Sequence, residues 1–144
     1  MKSVLCRNLG CIAIIAVLFS GCSSEPKLSH ISGKVSFKGK PVPAGYVTFT
    51  PDVGKGTNGQ VVGFQIKDGN YDSIRNTPPG IAPGSYKLSI AGFDGVVIPF
   101  FGQGKQIFNP INDECVVSEG VSTKDIEVPN SAGENVKIEK TADS

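Results

Sequence analysis

A chain of 144 residues with 14 Lys and Arg against 13 Asp and Glu is almost neutral, so no basic field recruits nucleic acid. Its single histidine, His30, leaves at most one member for a histidine-built zinc site or a proton-relay triad, and the length leaves room for one modest core.

In chain order the first element is Lys2 and Arg7, an uncharged apolar run from Leu9 to Phe19, and Ser20-Gly21-Cys22. The run is about half of the roughly 20 residues that a helix needs to cross a bilayer, and it reads as a secretory signal peptide. Small residues before a cysteine resemble the bacterial lipobox, with Phe19 where that motif most often has Leu. The resemblance implies a signal peptide over 1–21, diacylglycerol on the thiol of Cys22, and a lipidated N-terminus and tether over 22–29. The other readings are an ordinary cleaved signal that leaves a soluble secreted protein, or an uncleaved anchor. Cleavage removes Lys2 and Arg7 and turns the formal charge from +1 to −1. Cys6 and Cys11 leave with the signal and Cys22 is modified, so Cys115 stands alone and is expected as a small buried apolar side chain. A disulfide framework is excluded. Ser23 after the cysteine, rather than Asp, resembles lipoproteins sent to the outer membrane, so the protein is expected in the cell envelope, held to a membrane by lipid.

Residues 23–29 are short and polar and contain Pro26, a tether with a reach on the order of 15 Å. From His30, Ile31, Val35 and Phe37 alternate with Ser32, Lys34, Ser36 and Lys38, which predicts a half-buried strand. Gly39-Lys40-Pro41-Val42-Pro43 breaks it, Val47 and Phe49 define a second strand, and Pro51 closes that one. Gly54, Gly56 and Gly59 predict a mobile loop. Val62, Phe64 and Ile66 then form a third strand, Asp68-Gly69 supplies a type I′ turn, and Tyr71 opens a short return strand, so 61–74 reads as a hairpin. Pro78-Pro79-Gly80 and Pro83-Gly84 lead into a fifth strand with Tyr86, Leu88 and Ile90 facing in.

The period is lost from Gly92 to Asn112, where Phe93, Val96, Val97, Ile98, Phe100, Phe101, Ile107 and Phe108 are scattered among glycines and prolines. A long loop is expected, with a strand at 96–100. Closing strands follow around Cys115 and Val117 and at Ile126 and Val128. No apolar period of 3.6 persists with caps, so helix is expected to be almost absent. Residues 129–144 read as a polar tail, with Val136 and Ile138 offering an edge strand.

About seven short strands with Gly, Pro, Asp and Asn turns predict an all-β chain folded as an antiparallel β-sandwich over 30–128. Four segments carry a family resemblance: Ile31-Ser32-Gly33-Lys34-Val35-Ser36-Phe37-Lys38-Gly39-Lys40-Pro41-Val42, Gly45-Tyr46-Val47-Thr48-Phe49-Thr50-Pro51, Asp68-Gly69-Asn70-Tyr71 and Pro83-Gly84-Ser85-Tyr86-Lys87-Leu88-Ser89-Ile90. Together they resemble the carboxypeptidase regulatory-like domain, a transthyretin-like sandwich found in small planctomycete lipoproteins. The resemblance implies an accessory, non-catalytic module.

Transthyretin-like folds include hydroxyisourate hydrolases, which depend on several histidines, an arginine and a C-terminal Tyr-Arg-Gly-Ser; this chain ends Thr141-Ala142-Asp143-Ser144, and Arg75 is its one arginine beyond the signal. Asp68, Asn70 and Asp72 copy the start of a calcium loop, but Ser73 and Pro79 stand where a Gly and a bidentate Glu are needed, so a solvated turn is expected. No catalytic residue, metal or cofactor is assigned. Three functions follow: a membrane-held interaction or structural module whose partner-binding loop carries Phe93, Val97, Phe100 and Phe101; a carbohydrate or small-ligand module, disfavoured by the absence of tryptophan; and, remotely, an enzyme. The partners expected are the membrane, through the lipid, and an envelope protein or polysaccharide.

Overall fold

Strong alternation becomes strand, and the strands form one curled sheet. A computed structural model describes residues 27–97, 99, 102–134 and 136. Nine strands follow in chain order: β1 (His30–Phe37), β2 (Lys40–Pro41), β3 (Ala44–Pro51), β4 (Val62–Lys67), β5 (Asn70–Asp72), β6 (Gly84–Phe93), β7 (Ile111–Val117), β8 (Val121–Thr123) and β9 (Ile126–Val128). The sheet order is β2-β1-β5-β4-β3-β6-β7, with β8 and β9 joining β1. Among the described residues there is no α-helix, and none long and apolar enough to cross a membrane; three short 3-10 segments complete the chain.

The chain is all-β and mainly antiparallel, but the purely antiparallel expectation is corrected at β1. His30–Ser32 pair in parallel with Val121–Thr123, and Val35–Phe37 in parallel with Ile126–Val128. The hydrogen bonds of the first strand are therefore completed by the end of the domain, which local alternation does not encode. The sheet curls so that its inner face encloses one core containing Ile31, Val47, Phe49, Phe64, Ile66, Leu88, Ile90 and Val128. Phe49 lies at its centre, with ring centroids 5.1 Å from Phe64, 5.9 Å from Tyr86 and 6.2 Å from Tyr71. These tilted and edge-on arrangements suit the ring quadrupoles.

Two turns set the register. Asp68 (φ 50°) and Gly69 (φ 74°) make the expected β4–β5 turn. Lys38 (φ 52°) and Gly39 (φ 72°) make a second one between β1 and β2, so Lys38 is a turn residue and not the last residue of a strand. The glycine-bearing loop after β3 is pinned rather than loose. Backbone amides of Lys55 and Thr57 donate to the Asp52 carbonyl, the Asp52 side chain caps Gly54, and the buried Thr57 hydroxyl accepts from Ser85 N at 2.7 Å.

Both ends of the domain extend past their expected bounds. Ser29, read as tether, is buried and exchanges backbone hydrogen bonds with Ile81. Ala132, read as tail, packs on the core, and its carbonyl accepts from Asn109 N at 2.7 Å. The expected lipid site Cys22 and the signal peptide lie outside the described residues, as does Ile138.

The β3–β6 register defines two poles. Ala44 faces Phe93 at one end and Pro51 faces Tyr86 at the other, seven steps or about 24 Å away. The chain enters at the second pole, through Leu28 and Ser29 beside Ile81.

Candidate functional site

The described residues of 93–107 stand at the pole opposite the chain's entry. No strand forms at 96, 97 or 99; Ile98, Phe100 and Phe101 lie outside the described residues. The loop has a defined neck. Asp94 N donates to Lys105 O at 2.9 Å, Gly95 N to Gln103 O at 3.0 Å, and Ile107 N to Gly92 O at 3.0 Å. One carboxylate oxygen of Asp94 accepts from both Val96 N and Lys105 N at 3.0 Å, so a single side chain clamps the outgoing and returning limbs.

The apolar stretch divides at this neck. Val96 and Val97 stand beyond it, 58% and 75% exposed. Phe108 on the returning limb is fully buried, its ring 5.2 Å from Phe37, and Ile107 packs beside the core. Gly92 permits this, because a Cβ there would meet the edge of the Phe108 ring. Among the described residues the segment is thus partly a plug for the open pole, at Ile107 and Phe108, and partly exposed, at Val96 and Val97.

Phe93 is half-buried at the base of the neck and lines a shallow concavity of about 230 Å³ with Tyr46, Gly102, Gln103 and Gly104. Tyr46 is 44% exposed on the outer face of β3, and its hydroxyl accepts from Gln103 Nε2. The Gln103 Oε1 atom is enclosed without a hydrogen-bond partner among the described residues. Local reading passes over Tyr46, Asp94 and Gln103. Tyr46 was legible as an outward aromatic, and Asp94-Gly95 as a turn; only the fold brings the three together.

Elsewhere several titratable groups are committed to structure. His30 is part-buried and donates from Nε2 to Asp72 at 2.8 Å. The same Asp72 oxygen accepts from Ile74 N at 2.9 Å, and that backbone donor, followed by His30, holds the carboxyl below its ordinary range. Asp113 and Cys115 occupy inward positions of β7, at the seam between β7 and the β8–β9 connection. Asp113 pairs with Lys124 at 2.8 Å, which lowers its pKa, while burial pushes the free Cys115 thiol up and away from the thiolate. Burial also pushes the Tyr71 phenol well up; it donates to the Lys124 carbonyl at 2.7 Å.

Asp68, Asn70 and Asp72 do not converge. Asp68 sits in the I′ turn, Asn70 donates back to the Asp68 carbonyl, and Asp72 is engaged by His30 and Ile74. No cluster of three metal-ligating side chains occurs among the described residues. Titration with millimolar calcium is therefore expected to give no calorimetric signal above dilution, and Asp68→Asn to change nothing. A saturable signal lost in that variant contradicts the turn reading.

No protein-family model and no curated protein matches the chain. Among solved structures it is similar to a DUF3823 family protein from Parabacteroides merdae, at 16% identity and a TM-score of 0.42 over 72% of this chain. The match spans 46% of that protein, slightly under half its length.

Proposed function

We propose that the chain is an envelope lipoprotein, anchored through Cys22, whose β-sandwich of the transthyretin-like, carboxypeptidase regulatory-like kind serves as a non-catalytic module that presents an interaction loop to another envelope component. The observation that carries this reading is the pinned neck at Asp94, which holds Val96 and Val97 in solvent at the pole opposite the chain's entry. Exposed apolar side chains on a rigid base are what interaction sites use, because little ordering is needed on binding. The lipobox-like Ser20-Gly21-Cys22 supports the anchor.

Two measurements test it. In a phase-separating detergent the full-length protein made in a bacterial host is expected in the detergent phase, since two or three acyl chains hold stably where one holds marginally. Cys22→Ser is expected to remain an uncleaved precursor, and a mature water-soluble wild type defeats the anchor. Pull-down from solubilised envelopes is then compared for wild type and Val96→Ser/Val97→Ser. The variant is expected to melt as wild type does and to lose its partner; an unchanged partner set rules out the tip.

The concavity of Tyr46, Phe93 and Gln103 favours a second reading, a carbohydrate or small-ligand subsite in which the rings stack and the amide hydrogen-bonds. Retained binding to an envelope polysaccharide by Val96→Ser/Val97→Ser but not by Tyr46→Ala selects that reading over the first.

A further inference from the structure

The exposed apolar side chains are distributed unequally between the poles. Of the nine large hydrophobic residues exposed among the described ones, only Tyr46, Val96 and Val97 belong to the loop pole. Leu28, Val53, Val61, Ile74, Val116 and Val121 all lie toward the opposite end: Val53 follows Pro51, Val61 precedes the residue paired with Phe49, Ile74 follows the residue whose hydroxyl accepts from Ile31, Val116 pairs with Ser85, and Val121 with His30. Val53, Val116 and Val121 are each about 70% exposed, at 72%, 69% and 74%. Two of the six, Leu28 and Val61, line a groove of about 560 Å³ together with Pro78 and Ile81.

This is also the pole at which the chain enters, and only six residue steps separate Cys22 from Leu28. Fully extended, six steps span at most about 21 Å, so a lipid on Cys22 keeps this pole within that distance of the acyl–water boundary. We infer that this ring of apolar side chains docks on the lipid surface itself, seating the domain upright so that the 93–107 loop points away from the bilayer. The inference rests on the anchor proposed above. A tether alone limits distance but leaves orientation free; scattered aliphatic side chains that enter the interfacial region supply the orientation, each gaining by leaving water.

The test uses the full-length lipidated protein in vesicles of phosphatidylethanolamine and phosphatidylglycerol containing a photoactivatable phospholipid, with adducts mapped by mass spectrometry. Adducts are expected on peptides holding Leu28, Val61, Ile74 and Val121, at about fivefold or more over those holding Val96 and Val97. Val61→Asp/Val121→Asp is expected to melt as wild type does, because both side chains are exposed, to float with the vesicles through its lipid, and to lose the adducts at Leu28 and Ile74. A wild type that does not float overturns the anchor and the docking together. A wild type that floats but yields adducts only on residues 22–27, or equally at both poles, overturns the docking alone and leaves the ring to a protein partner.

Discussion

Phe49→Ala is expected to cost about 3–5 kcal/mol, a large share of the stability of a domain this size. Phe49 is fully buried, and its ring contacts Phe64, Tyr71 and Tyr86 together. Truncation therefore opens a void that no single neighbour can fill, since those three side chains are held by separate strands. The Phe37→Ala change is expected to cost distinctly less, because Phe37 is only partly buried and packs on Phe108 at one pole. Urea denaturation of the two variants measures the difference. Equal, small losses at both positions contradict the inward register of β3.

Gly33→Ala is expected to be strongly damaging for a single added methyl, at about 3 kcal/mol or more. A Cβ at this position of β1 would coincide with the backbone carbonyl oxygen of Lys124 and press on the Tyr71 ring, whose Cε1 would lie 2.8 Å away. Backbone cannot rotate aside as a side chain does, so the β8–β9 connection must lift, and the Tyr71–Lys124 hydrogen bond is lost with it. Gly63→Ala is the matched control. Its Cβ would meet only Thr48 Oγ1, at 4.0 Å on the open outer face, and the reduced freedom of the unfolded chain is expected to make the change neutral or stabilising by a few tenths of a kcal/mol. Melting temperatures that fall equally in both variants argue against the close approach at Gly33.

Local chemistry made much of the fold legible. Ile31 and Val35, Val47 and Phe49, Phe64 and Ile66, and Tyr86, Leu88 and Ile90 all face inward as alternation requires. Asp68-Gly69 forms its turn because both residues tolerate positive φ. The misses have physical causes as particular as the hits. Lys38 continues the apolar–polar alternation one position past the end of β1, so its left-handed conformation was hidden by the stronger breakers Gly39 and Pro41. The start of β7 was hidden because one of its inward positions is Asp113, an acid acceptable there only because Lys124 comes across the seam from another segment. β8 is only Val121-Ser122-Thr123, and its one large apolar side chain is 74% exposed, so it carries no inward alternation to read. Of the candidate loop, Phe93 and Val97 were legible as apolar residues without a period, yet their separation from Phe108 depends on the space left by Gly92. Asp94 as the clamp was invisible for the same reason: its partners become neighbours only when the chain returns.

The parallel pairing of β1 also bears on the order of events in folding. Lys34 N donates to a carboxylate oxygen of Asp125, 91 residues later, and β1 takes both β8 and β9 as neighbours. Closing so large a loop is slow, and although β2 and β5 can pair with β1 early, its remaining hydrogen bonds wait for β8 and β9. A nascent chain ending before Val121 therefore cannot complete the domain, and the edge of β1 that takes β8 and β9 stays open until those strands arrive.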